Sequence, residues 1–205
     1  QSSPSDSQVP LQADADNRHL WQINSRRMEA ELVRDSMLAA ASELDLAMGG
    51  PELAENLGQT SRRRSLYFRT TPDSKMQMLD LFDLANPNAC YERHESVMPQ
   101  QSLALLNSPL ALDLSRTLAR KLASEKKEAF TTAAFEWVLS RPPSKKEMSL
   151  SIKFLQTQES KLAKGGTPFT GVNASKIPAA KDSAQRAREN LVLVLFNHND
   201  FVTIR

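Results

Sequence analysis

Residues 181–197, KDSAQRARENLVLVLFN, open on charged and small residues and close on the longest apolar run in the chain, Leu191–Phe196. The span predicts an amphipathic helix whose last turns are too apolar all round for a surface position, so it belongs in a core. Upstream, Ser144-Lys145-Lys146-Glu147 is a capping box, in which hydroxyl and carboxylate each take up an orphan amide of a first helical turn. The helix it opens runs to about residue 163. The segment before it, 128–139, carries Phe130, Phe135, Trp137 and Val138 and stops ahead of Pro142-Pro143. Ser108-Pro109 supplies an N-cap and a proline at the first helical position, opening a helix to about residue 123. A shorter helix over 100–106 precedes it. Asp73 or Ser74 is placed to cap a helix over 75–84, with Met78, Leu79, Leu81 and Phe82 inward.

The first helix is predicted over about 18–41, capped by Asp16 and carrying Leu20, Trp21, Met28, Leu32, Met37 and Leu38. Together with 181–197 it is the most apolar long segment, so Leu32 and Leu195 are both expected in the core. Gly49-Gly50-Pro51 stops any continuation. Ser65–Phe68 is the best short-strand candidate. Residues 1–15 are polar with two prolines and read as an extended arm, leaving 16–205 as the helical domain. The fold class is therefore all-α, an irregular bundle of about six to seven helices with long loops, among them 165–178.

Composition excludes several classes of function. Lys plus Arg number 26 against 24 Asp plus Glu, a net charge of +2, which gives no electrostatic reason to expect nucleic acid. No apolar run reaches the 18 or so residues of a membrane span. The single cysteine, Cys90, rules out on this chain an internal disulfide, a Cys-rich zinc site and a Cys-x-x-Cys-His haem attachment. His19, His94 and His198 stand far apart and read as surface or capping residues, with no metal site among them. No Gly-x-Ser-x-Gly elbow, His-Glu-x-x-His or Walker pattern occurs.

The densest polar constellation is Arg27, Glu31, Arg34 and Asp35. At spacings of three and four, all can share one helix face. A carboxylate pair gripped by arginines is one arrangement used for general acid–base work. It is also how a helix is tied to a neighbouring segment, and that is the reading taken here. The partners expected are Arg62, Arg63 and Arg64, which return after the Gly-Gly-Pro reversal and could also meet Asp83. Arginine suits the role because its planar fork grips a carboxylate with two bonds. With Arg93, these residues form a candidate binding or structural cluster to which no catalytic role is assigned.

Several segments together resemble a known family. Arg26-Arg27-Met28-Glu29-Ala30-Glu31, followed by Val33-Arg34-Asp35-Ser36-Met37-Leu38, is similar to the RR-L-E-A-E-x-I-R-D-S-L-L helix of the DUF1553 family, the planctomycete PSD1 domain. Leu44-Asp45 through Gly49-Gly50-Pro51 resembles its LD…GGP turn, and Arg63-Arg64-Ser65-Leu66-Tyr67 its RRSIY segment. Phe82-Asp83, the Arg93–Asn107 stretch, Leu139 through Glu147, and Leu195-Phe196-Asn197 follow in the family's order. Val97, Ser102 and Asp200 stand where the family usually has threonine, alanine and glutamate.

The resemblance implies context more than activity. Gln1 looks like the residue after a processing site, and the chain like the C-terminal portion of a domain whose N-terminal part is absent. Family members are predicted to be exported, to the periplasm, cell envelope or outside. They commonly join a DUF1549-like domain and a cytochrome c-like domain, so haem c is expected on another domain of the parent and no cofactor on this chain. The leading expectation is a non-catalytic structural or binding module presenting the 164–180 loop or the arginine-rich segment to a partner. The alternative is a catalytic or redox-accessory domain working with a cytochrome c partner, with polysaccharide breakdown as one setting.

Overall fold

The computed structural model describes residues 18–19, 25–89, 93, 95–165 and 175–204. Among them are seven α-helices and one small sheet of two strands, a predominantly α architecture. The predicted arm at 1–15, Cys90, His94 and most of the 165–178 loop lie outside the described residues.

The chain's first described regular element departs from expectation. Arg26–Arg27 form strand β1, antiparallel to β2, Thr203–Ile204, with Arg26 opposite Ile204 and Arg27 opposite Thr203. Helix α1 begins only at Ala30 and runs to Ala40. The reason is a competition for backbone donors: the Met28 amide donates to the Val202 carbonyl at 2.8 Å, committing the chain to the sheet just before the helix starts. Leu20 and Trp21 lie outside the described residues. Leu32 is 41% exposed and is not a core residue, because the helix turns Ala30, Val33, Met37 and Leu38 inward instead.

Ser65–Phe68 is likewise not a strand. Ser65–Tyr67 form a 3-10 turn, and Phe68 makes only an isolated parallel bridge to Leu53. The Ser65 amide is taken by the Asp35 carboxylate at 2.8 Å, so it is lost to any ladder. A second bridge, Asp45 to Arg63, lays the Gly-Gly-Pro reversal alongside this segment. A 3-10 turn at Glu55–Gln59 lies between them.

Helix α2 is shorter than expected, Gln77–Leu81, because Thr71 and Ser74 bond to each other and neither Asp73 nor Ser74 caps it. Helices α3, Pro99–Asn107, and α4, Pro109–Lys121, meet at Ser108, whose hydroxyl accepts from the Ala111 amide as the N-cap of α4. Helix α5 covers Lys127–Leu139. Helix α6, Lys145–Ala163, opens on the expected capping box, with both of its bonds formed. Helix α7, Ser183–Phe196, is capped by Asp182.

Helix α7 is the hub, packing along α6 and α4 and touching α5. Leu191, Val192, Leu195 and Phe196 are buried with Leu110, Leu114, Leu118, Phe130 and Leu155, and Phe201 closes edge-on over the Phe196 ring. Burying large apolar side chains on this scale is what holds the bundle. No helix among the described residues is long and apolar enough to cross a membrane.

Candidate functional site

Helix α1 carries two adjacent charges on its inner side, and the structure shows what they hold. Arg34 is fully buried, and four of its five N–H groups are spent in hydrogen bonds. Its Nε donates to the Gly58 carbonyl at 3.1 Å, Nη2 to Ser61 at 2.6 Å, and Nη1 to the Arg63 carbonyl at 2.9 Å and the Ser65 hydroxyl at 3.2 Å. Its guanidinium also lies 4.9 Å from the centre of the Phe68 ring. Burial pulls the Arg34 pKa down to about 10, against the opposing pull of the Asp35 charge. Asp35 in turn accepts from both the amide and the hydroxyl of Ser65, at 2.8 and 2.7 Å. One helical turn thus grips the 58–65 segment through its main chain.

The arginine triplet does not play its expected part. Only Arg64 approaches a helix carboxylate, with Nε 3.8 Å from Asp35, and its side chain is half exposed. Arg62 sits 3.7 Å from Glu43. The Arg63 guanidinium sits over the Tyr67 ring, 3.9 Å from its centre, and donates to the Gly49 carbonyl, while the Tyr67 hydroxyl accepts from the Gly49 amide at 2.9 Å. Gly49 and Gly50 hold φ of +76° and +90°, a region that side chains rarely tolerate, and a Cβ on Gly50 would stand 3.3 Å from the Arg63 guanidinium. The clasp therefore needs glycine for its backbone conformation.

The other cluster residues fall elsewhere. Glu31 pairs with Arg93, not with the triplet, through bonds of 2.8 and 3.2 Å; those bonds raise the Arg93 pKa. Asp83 does not meet the triplet either. It accepts from the Ser96 amide and hydroxyl at 2.8 Å. Arg27 is absent from the α1 face because it lies on β1, from which it donates to Gln101 at 2.8 Å. Gln101 passes its own amide protons to the Leu81 and Ser96 carbonyls, so α3 is tied to the end of α2 and to the segment before it.

Sequence reasoning missed a second set of deeply buried charges. Asp113 and Arg116 on α4, with Arg186 and Glu189 on α7, are each at most 4% exposed. Asp113, Arg116 and Glu189, together with Arg120, grip residues 175–180, and Arg186 pairs with Glu189. Asp113 accepts from Ile177 at 3.0 Å and from the Ser175 hydroxyl at 2.6 Å, and both carboxylate oxygens of Glu189 accept from Ala180 at 3.2 Å. Arg116 donates to Ser175 and Ile177, and Arg120 to Pro178. Burial raises the Glu189 pKa and lowers that of Arg186. The available signal was a spacing of three, Asp113 to Arg116 and Arg186 to Glu189, on helices otherwise lined with leucine and alanine.

A third knot closes the far end. Arg141 binds Glu147 and Asp200, with contacts of 2.7 and 2.6 Å, and holds the Glu147 carboxyl down at about 2. His198 caps the 3-10 turn Asn199–Phe201, its Nδ1 accepting from the Asp200 amide at 3.1 Å. Among the described residues, no group of three or more His, Cys, Asp or Glu is arranged to hold a metal ion.

The motifs that build the Arg34 grip, the Gly-Gly-Pro clasp and the Asp83 contact all fall within residues 1–155, the stretch matched by the family model "PSD1: Protein of unknown function (DUF1553)". The chain belongs to the DUF1553 family. No curated protein and no solved structure matches it. Within this DUF1553 chain, the buried partners on α7 lie beyond the matched residues, whereas Asp113 and Arg116 on α4 lie inside them.

Proposed function

We propose that this DUF1553 chain is a non-catalytic structural or binding module of an exported multidomain protein. The observation that carries this reading is the way its charges are spent: Arg34 and Asp35 bind main-chain groups and Ser65 in the interior. General acid–base work needs a titratable group within reach of a substrate proton, and Asp35 is buried and engaged by two donors. In this reading the chain packs on an N-terminal part of the same domain and on DUF1549-like and cytochrome c-like domains of its parent. Haem c belongs to the last of these, because a single cysteine cannot supply the paired thioether attachment. Nucleic acid is not a partner. The resemblance to exported, cytochrome-associated family members supports the setting.

The test is made on the full-length parent. Intact mass and haem absorbance establish its domain content, and cross-linking establishes what this module touches. Asp35→Asn should lower the melting temperature and leave turnover per folded molecule unchanged. Turnover that collapses while the melting temperature holds would establish the catalytic or redox-accessory alternative.

A further inference from the structure

The turn that leads into β2 is capped by a histidine. Asn199–Phe201 form a single 3-10 turn, and its backbone bonds, from Phe201 to His198 and from Val202 to Asn199, fix where Val202 stands. Val202 then accepts from the Met28 amide at 2.8 Å and β2 pairs with β1, so this turn sets the segment ahead of α1. The cap is the Asp200 amide, which donates to His198 Nδ1 at 3.1 Å. A backbone N–H can only donate, so Nδ1 must present its lone pair and the ring proton must sit on Nε2. Elsewhere among the described residues the side-chain caps are Ser108, Ser144 and Asp182. Their oxygens keep their lone pairs throughout the range in which an imidazole gains a proton, about pH 5 to 8.

We propose that His198 is a proton-operated switch on the β1–β2 pair: neutral, it holds the turn closed, and protonated at Nδ1 it releases the Asp200 amide and loosens the segment ahead of α1. Protonation makes both ring nitrogens donors, so N–H would face N–H and the cap is lost. A new acceptor is already at hand, because Asp200 Oδ2 lies 3.8 Å from Nδ1. Protons reach the ring from solvent, its side chain being 37% exposed. Asp200 is also bound by Arg141, just past the end of α5, and Arg141 by Glu147 on the first turn of α6. Glu136, the last charge on α5, is exposed. Helix α7 leads into the turn with no charged residue after Glu189, and β1 sets Arg26 and Arg27 opposite β2. Arg141 and Glu147 stay charged across the histidine range, since their pairing holds Glu147 down at about 2 and raises Arg141. The switch thus takes up one proton and exchanges an amide donor for a carboxylate acceptor. It goes beyond the module reading and does not depend on it.

The full chain, isotope-labelled for NMR, is titrated from about pH 8 to about pH 5. At the upper end the His198 ring nitrogens should report the Nε2–H tautomer. Exchange protection of the Asp200 and Met28 amides, corrected for intrinsic rates, should fall about fivefold as His198 gains its proton, the scale of one lost cap. His198→Asn keeps an oxygen acceptor and does not titrate, so its protection should stay level although His19 and His94 remain. His198→Ala, with no acceptor, should show the lower protection at every pH. An Nδ1–H tautomer at the upper end, protection that holds through the His198 midpoint, or the same fall in His198→Asn would overturn the proposal.

Discussion

At the residue scale Arg34 stands out, because one buried side chain donates to three main-chain carbonyls, those of Gly58, Ser61 and Arg63. Lysine keeps the charge, but its three N–H groups radiate from one nitrogen and cannot span acceptors set around the planar guanidinium fork. Arg34→Lys is expected to cost about 3 kcal/mol in urea unfolding, the scale for stranding partners of a buried ion. A cost under about 1 kcal/mol would mean that water fills the gap. Glu31→Gln should be mild, about 1 kcal/mol or less, because its pair with Arg93 is partly open to solvent. Two leucines give a sharper contrast. Leu195→Asp puts a charge where the side chain is almost fully buried and should abolish folding. Leu32→Asp, at a position open to water, should move stability by about 1 kcal/mol or less.

Elements end here in an unusual way. Helix α1 closes with the Glu43 amide on the Leu38 carbonyl and Ser42 on Ala39, a Schellman pattern with serine at φ +56° where glycine is usual. Helix α2 does the same with Asp83 at φ +62°, and α5 ends on Ser140 at φ +56°. Ser42→Gly and Ser140→Gly, both exposed, should each stabilise the protein by roughly 0.5–1 kcal/mol, read as a rise in melting temperature. These ends were hard to read from sequence for the same reason, since the expected stop residue is missing. Starts were legible at the two caps named from the sequence, Ser108 and Ser144, whereas the Asp182 cap went unread although the helix was placed from about residue 181. The start of α1 was not legible, because a backbone bond to distant Val202 decides it. Of the candidate cluster, Arg34 and Asp35 act together on the 58–65 segment, while Arg27, Glu31, Asp83 and Arg93 hold contacts elsewhere. Spacing puts Arg34 and Asp35 on one helix, but nothing local says that their partners are carbonyls and a serine in place of the arginine triplet.

At the scale of the whole molecule, three polar knots join distant stretches: Arg34 to 58–65, Asp113 and Glu189 to 175–180, and Arg141 to both Glu147 and Asp200. The last responds to pH. Glu147 ionises at about 2 in the folded protein against an ordinary value of 4.5, so its contribution is complete above 4.5 and drains away as pH falls towards 2. The gap in melting temperature between the native chain and Arg141→Gln should therefore be open at neutral pH and nearly closed at about pH 2. A gap of constant width would show that Arg141 acts through packing alone. The β1–β2 pair carries a further consequence, for biosynthesis. Arg27 meets Thr203 across 176 positions, the difference of their numbers, so a ribosome must have added residue 203 before the approach to α1 can be set in place. Helices α4 to α6 can associate while the chain is still emerging, but the register of the segment before α1 waits until residue 203 has been made, and until then those two arginines face the solvent or a chaperone.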